Sequence, residues 1–379
     1  MIYADHAATT ALSPAAYEAM LPWLQDKYGN PSTLYSLARD PRKAVAHSRE
    51  MIAAAINADP SEIFFTSGGT EADNWALKGT MFQYDRGKGM LTSAIEHHAI
   101  LNTCSALERM GYAVDTLPVD QMGILHAEVL RSALTDNISL VSIMLANNEI
   151  GTIEPVAELT EIAHQTSALF HTDAVQAIGH IPVDVKALQV DMLSASAHKF
   201  NGPKGIGFLY IRKGVHLVPL LDGGGQERGM RSGTENVAGI VGIATALQEH
   251  MEHLYQEAEY LNDLSRKLIS LLKSKGLDFC INGSHTRIPG SLSLSFKDAD
   301  GEMLLHRLDL MGTAVATGSA CNSKETELSH VIKAIHVPDG YANGTIRITL
   351  GIDNTEEQMY TIADQLHRII KHNTEGMEP

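Results

Sequence analysis

Lys199 is the residue around which chemistry in this chain is most readily built. It lies in SASAHKFNGPKGIGF, beside His198, between two short apolar runs at 190–193 and 207–211. Such runs, apolar and bounded by turn signals, read as buried strands. A lysine at the end of a buried strand is partly desolvated. Its charged form is then disfavoured, and the amine becomes a better nucleophile, suited to a Schiff base with an aldehyde. A surface lysine in a glycine-rich turn has the same local sequence, so the assignment depends on what the rest of the chain supplies.

Other residues supply candidate partners. The run IFFT at 63–66 leads into Ser67-Gly68-Gly69-Thr70-Glu71 and an alanine-rich helix. Free N–H groups at a helix N-terminus hold a phosphate, and Thr70 adds a hydroxyl; a plain capped helix after a tight turn explains these residues equally well. Asp173 ends the stretch ALFHTD. A carboxylate there pairs with a protonated ring nitrogen or caps a helix, and the sequence leaves both open. His97 and His98 are adjacent, so they do not face one ligand from a helix and no metal site is expected. A single histidine at a strand end stacks on a ring or moves protons. Asn148 follows the apolar run 138–145, where open α/β sheets place ligands. Arg347 sits within GTIRITLG. It snorkels to solvent, or its planar fork binds a carboxylate. Cys321, among the small residues of ATGSACNS, has the setting of an exposed, reactive thiol. Cys104 reads as core and Cys280 as structural.

These groups need a scaffold. Alternating strand and helix patterns before residue 250 predict a mostly parallel sheet. Ser13-Pro14 marks a helix start. Residues 222–236 read as a long polar loop with no element of its own, a length often kept for function. One helix is expected from 237 to about 272, with apolar residues at helical spacing. The chain has 379 residues, enough for two domains, and the boundary is placed near Met251: a large domain at 13–250, and a small one from 1–12 and 251–379 that carries the Cys321 loop. Net charge is −16, which argues against binding nucleic acid or an anionic membrane. No signal peptide or membrane span is expected. The three cysteines are scattered with no CxxC pair, as in a cytoplasmic protein with reduced thiols.

The stretches YADHAATT, YGNPSTLYSLAR, FFTSGGTEADN, EHHAI, NNEIGT, HTDAVQAIG, SASAHKFNGPKGIGFLY, RSGTEN, ATGSACNS and TIRITLG together resemble the cysteine desulfurases of the aminotransferase class V family, closest to the branch of the NifS and IscS proteins. They cover nearly the whole chain in the family's order. The resemblance implies a fold-type I α/β transferase dependent on pyridoxal 5′-phosphate, with a mostly parallel large domain and a smaller α+β C-terminal domain. It implies that Lys199 holds the cofactor, and that Gly69, Thr70, Ser196 and His198 contact its phosphate. Thr234 does so from a neighbouring subunit, hence a homodimer. Asp173 partners the pyridine nitrogen, Gln176 the ring hydroxyl, and His97 stacks on the ring. Asn148 contacts cofactor and substrate, Arg347 holds the substrate carboxylate, and Cys321 receives sulfur from L-cysteine as a persulfide, with His97 a candidate acid or base. The turn reads SGGTE where SGATE is common, and the cysteine loop ATGSACNS where SSGSACTS is common; neither change removes a reacting group. IscS-type proteins tend to run longer at the C-terminal end and dock a scaffold protein there, so the sulfur acceptor stays open among iron–sulfur and tRNA-thiolation proteins. A selenocysteine lyase is the alternative reading, then an aminotransferase, then a non-catalytic sulfur-transfer scaffold.

Overall fold

The computed structural model describes residues 1–84, 86–318 and 328–375. Its strands are β1 (Ile2–Tyr3), β2 (Ile63–Thr66), β3 (Gly89–Ser93), β4 (Ala113–Leu117), β5 (Ile138–Ser142), β6 (Leu169–Asp173), β7 (Met192–Ser196), β8 (Gly207–Ile211), β9 (Phe279–Asn282), β10 (Ser291–Phe296), β11 (Thr313–Ala314) and β12 (Thr345–Thr349). A seven-stranded sheet runs in the order β2-β8-β7-β6-β5-β3-β4. From β7 to β4 every pairing is parallel, and β8 is antiparallel to both its neighbours. The mostly parallel sheet expected from alternating elements is therefore present. Its inner strands are buried along their length, as in β5 and β7, because helices cover both faces.

The strand order reverses between β5 and β3. Successive strands β5, β6 and β7 step one way across the sheet, and β3 to β4 steps the other. Such a switch opens a crevice beyond the carboxyl ends of the strands.

A second layer forms around the antiparallel sheet β12-β10-β9. The helices Gly301–Leu310 and Glu356–Glu375 supply the apolar side chains Leu304, Leu308, Met359, Ile362 and Leu366 to its buried cluster. The 38-residue helix Val237–Ser274 serves both layers. Its first half sends Ile240, Ile243 and Leu247 into the core under the large sheet, and its second half sends Leu261, Leu264, Leu268 and Leu272 into the second core. The N-terminal arm also links the two. β1 pairs with β11, and the arm then reaches the Lys199 segment, where Thr10 N–H donates to the His198 carbonyl at 2.9 Å.

Some expectations on element bounds are corrected. The run at 190–193 becomes a strand two residues later, at Met192–Ser196; Asp191 instead bends out to bind His164, Arg212 and the Phe170 N–H. The 222–236 loop contains a 3₁₀ turn, Gln226–Gly229, in which Glu227 and Arg228 take positive φ of 44° and 60°. Polar anchoring holds that costly backbone: Glu227 accepts from Phe65 N–H and pairs with Arg49, and Arg228 donates to the carbonyls of Ser61 and Ile63.

Candidate active site

The crevice at the strand ends becomes a cavity of about 360 Å³. His97 enters it just beyond β3, Asn148 beyond β5, Asp173 at the end of β6, and Lys199 in the 3₁₀ turn Ala197–Lys199 after β7. Gly69 and Thr70 open the helix Gly69–Met81 directly after β2 and line the same space. Glycine is required at this turn. Gly68 has φ of +152°, and a Cβ on Gly207, facing it from β8, would lie 2.8 Å from the Gly68 Cα. Ser196, His198 and Gln176 complete the near wall, and Arg347 enters from β12 of the second layer.

The polar contacts fix the orientation of these groups. Asp173 Oδ1 accepts from Val175 N–H at 2.9 Å while the carboxyl lines the cavity. The helix-capping reading is corrected: residues 175–180 form turns and no helix starts there, so Asp173 holds a turn N–H while it faces the cavity. Burial pushes Asp173 up to about 6, against that hydrogen bond and the Lys199 charge. His97 caps the helix His98–Arg109, its Nδ1 accepting from Ala99 N–H at 3.1 Å. Burial, then the charges of Lys199 and His98, push it down to about 4. It is therefore neutral at pH 7, with its proton on Nε2. His198 is held near 4 by burial, then by Lys199 and Lys204. Lys199 Nζ donates to the carbonyls of Ala7 and Ala8 at 2.6 and 2.8 Å. Arg347 Nη1 donates to the Asn148 carbonyl at 2.9 Å, and Nη2 pairs with Asp5 at 2.6 Å.

A scan against family models matches the description "Aminotransferase class-V" over residues 2–361. The chain belongs to the class-V aminotransferase family. A cysteine desulfurase IscS of Dictyoglomus turgidum is 48% identical over 372 residues, 98% of this chain and 94% of that one. A solved "NifS-like protein" superposes with a TM-score of 0.92 at 39% identity, covering 98% of this chain and 99% of the other. A structure described as SspA in complex with cysteine has a TM-score of 0.83 at 34% identity, covering 93% and 99%. Within its family the chain falls in the NifS- and IscS-like cysteine desulfurase branch, and its fold is that of the fold-type I transferases.

Ten residues singled out in this class-V chain line the one cavity: Gly69, Thr70, His97, Asn148, Asp173, Gln176, Ser196, His198, Lys199 and Arg347. Thr234 does not join them. It lines a separate small cavity with Ser67 and Arg231. Arg231 clamps Glu71 bidentately, at 2.7 and 3.0 Å, and so ties the Thr234 loop to the 67–71 turn. Cys321 lies outside the described residues. Sequence reasoning missed Asp5, Asp73 and Glu149, all at the cavity. Glu149 is buried, and Ser329 donates to its Oε2 at 2.6 Å. Burial pushes it up to about 7, against that bond and the Arg347 charge. Its position beside Asn148 in NNEIGT was the one available signal.

Proposed function

We propose that this chain takes sulfur from L-cysteine, releases L-alanine and carries the sulfur on Cys321 as a persulfide, with pyridoxal 5′-phosphate as cofactor. The convergence of the ten residues on one cavity carries the reading, in a chain of the cysteine desulfurase branch. The cavity suits the cofactor chemically. Asp173 is 5% exposed and faces the space, and a buried carboxylate calls for a protonated or cationic partner. Arg347 Nε is buried with no hydrogen-bond partner among the described residues, which suits an arriving carboxylate.

Bound pyridoxal phosphate supplies an aldehyde carbon and an electron-accepting ring. Lys199 Nζ would be the amine that holds it, and the same amine would serve as the base for the substrate α-proton. Asp173 would keep the ring nitrogen protonated, and Gln176 would contact the ring hydroxyl. Gly69, Thr70, Ser196 and His198 would hold the phosphate, with Thr234 of a second subunit completing the set in a homodimer. His97 would stack on the ring; its neutral Nε2–H can donate a hydrogen bond there, and a proton could be given only after the ring has first taken one up. Arg347 and Asn148 orient the substrate. Cys321, as thiolate, attacks the substrate sulfur: the S–S bond forms, the Cβ–S bond breaks, and its electron pair stays on Cβ until protonation gives alanine. L-Cysteine is the ligand named for the SspA relative. A sulfur-acceptor protein must then collect the persulfide sulfur. The reading includes a cytoplasmic location, where thiols stay reduced, and a division into a large domain at 13–250 and a small domain from 1–12 and 251–379.

Mass spectrometry of the holoenzyme after L-cysteine tests this. One added sulfur atom is expected on the Cys321 peptide, with none on Cys104 or Cys280. Cys321→Ala is expected to bind cofactor and stall before alanine release. Alanine release from Cys321→Ala at the wild-type rate would overturn the persulfide step and favour the lyase or aminotransferase alternative.

A further inference from the structure

The helix Gly69–Met81 brings a second carboxyl group to the cavity, and the chemistry above leaves it unused. Thr70 and Asp73 are three apart on that helix and share a face; both line the cavity. Asp73 is 1% exposed, and its Oδ1 is buried with no hydrogen-bond partner among the described residues. An orphaned buried acceptor is costly, so its place at a ligand cavity needs a reason.

The sheet beneath supplies one. Ser142 Oγ on β5 lies 2.9 Å from His171 Nδ1 on β6, and His171 Nε2 lies 2.9 Å from Ser194 Oγ on β7. Asp73 Oδ1 is 3.8 Å from the same His171 Nε2. Ser194 stands opposite Asp173 in the β6–β7 register. His171 and Asp173, two apart on β6, point to the same face. Asp73, Asp173 and the Ser142–His171–Ser194 row thus form one buried polar cluster beside the cavity.

We infer that Asp73 is a positioning residue for Asp173: it stays a neutral acid within the cluster, so that Asp173 alone presents negative charge to the cofactor ring. The inference rests on the reading that the cavity holds pyridoxal phosphate. Two carboxyl groups buried in one cluster do not both ionise readily. The ionisable groups acting on Asp73 are Asp173 and His171 from β6 and Glu96 from the turn after β3. Burial, then Asp173, raise Asp73 well above the carboxylate range, with Glu96 adding to the rise and a Ser194 hydrogen bond opposing it. Asp173 has Lys199 and the Val175 N–H to favour its ionised form. The proton therefore settles on Asp73. Burial pushes His171 down to about 3, so its ring is neutral, with one nitrogen donating and the other accepting along the row.

The test strips the wild type, Asp73→Asn and Asp73→Ala of cofactor and titrates each with pyridoxal phosphate. The pH midpoint of the bound cofactor's visible absorption is followed as well. Asparagine is the neutral isostere of the protonated acid. It is expected to keep the dissociation constant within about threefold and the midpoint within about 0.3 pH unit. Alanine removes the polar group and is expected to weaken binding about tenfold and to move the midpoint by about half a unit or more. A tenfold loss in Asp73→Asn would make Asp73 an ionised counter-charge and overturn the proposal. A silent Asp73→Ala would overturn it too. If Asp73→Ala does not fold, Ser194→Ala takes its place with the same expected shift, and its silence overturns the proposal. A wild type that takes up no pyridoxal phosphate would sink the functional reading itself and this inference with it. A silent Asp73→Ala, or a tenfold loss in Asp73→Asn, beside a cofactor-binding wild type would sink the inference alone.

Discussion

Replacing Arg347 by lysine keeps a positive charge but removes the planar fork. Arg347 is 8% exposed on β12. Two of its nitrogens already have partners, the Asn148 carbonyl and Asp5, and these hold the guanidinium plane in place at the cavity wall. Nε is buried without a partner among the described residues. A lysine ammonium is a point charge on a flexible stem and cannot reproduce a bidentate grip. The loss of one hydrogen bond between charged groups is worth about 1.5–3 kcal/mol, which corresponds to roughly a 10- to 150-fold change in affinity. That bond orients the substrate before any bond is broken. The rise should therefore appear in KM for L-cysteine, with a smaller change in kcat. Initial rates of alanine release over a range of L-cysteine give both constants. Absorption of the resting enzyme checks that cofactor occupancy is unchanged. A KM within about twofold of wild type, at full occupancy, would mean that Arg347 serves the Asp5 and Asn148 contacts alone and does not hold the substrate.

Lys199→Ala should lose the borohydride-reducible link to the cofactor; a cofactor still fixed by borohydride in that variant would identify a different lysine. Thr234→Ala and Lys199→Ala, each inactive, should regain activity when mixed and allowed to exchange subunits, because a hybrid dimer has one intact site. No recovery after verified exchange would confine Thr234 to its own subunit. Glu96 offers a stability test outside the reacting groups. It is fully buried, its Oε1 accepting from Ser93 Oγ at 2.6 Å and Met144 N–H at 2.9 Å, and Oε2 has no partner among the described residues. Burial raises it from 4.5 to about 8. A folded state that keeps its proton longer than the unfolded state is most favoured below about pH 4.5 and loses that advantage as pH rises to about 8. Glu96→Gln should therefore gain a few kcal/mol relative to wild type between about pH 5 and 8. Urea midpoints at the two pH values measure the gain, and an equal difference at both would refute it.

Much of the scaffold was legible because it rests on local pattern. The runs at 63–66 and 207–211 became strands with those bounds. Each is short, apolar and closed by turn residues, so burial and backbone propensity agree. Ser13 caps its helix as expected, accepting from Ala16 N–H at 3.1 Å. The strands Ile2–Tyr3 and Phe279–Asn282 were not foreseen. Both are short, and neither is strongly patterned. Each exists because a partner strand is waiting, β11 for the first and β10 for the second. The same distinction separates the site residues that were found from those that were not. Lys199, Asp173 and Gly69 sit beside turn signals. Asp73 lies among Ala72, Trp75 and Ala76 inside a helix, where an acid reads as a solvated position unless the sheet beneath it is known.

The contacts that join the reacting groups span the chain. Asp5 and Arg347 are 342 residues apart, and Ala7 and Lys199 are separated by 192. One short arm therefore touches both the lysine assigned to the cofactor and the arginine assigned to the substrate carboxylate. Its residues bridge the core under the large sheet and the core of the second layer, since Ala4 packs in the latter while Thr10 binds the His198 carbonyl in the former's sheet edge. A pattern read over a dozen residues detects a strand or a helix face, because each is set by neighbours in sequence. It does not detect which strand ends will share an edge. The reversal of strand order between β5 and β3 sets His97 and Asn148 on either side of one crevice, and the arm and β12 then bring Asp5 and Arg347 to the same crevice. The chemistry is specified by residue types at separate strand ends, but its geometry arises only when both cores form and the arm lies across them.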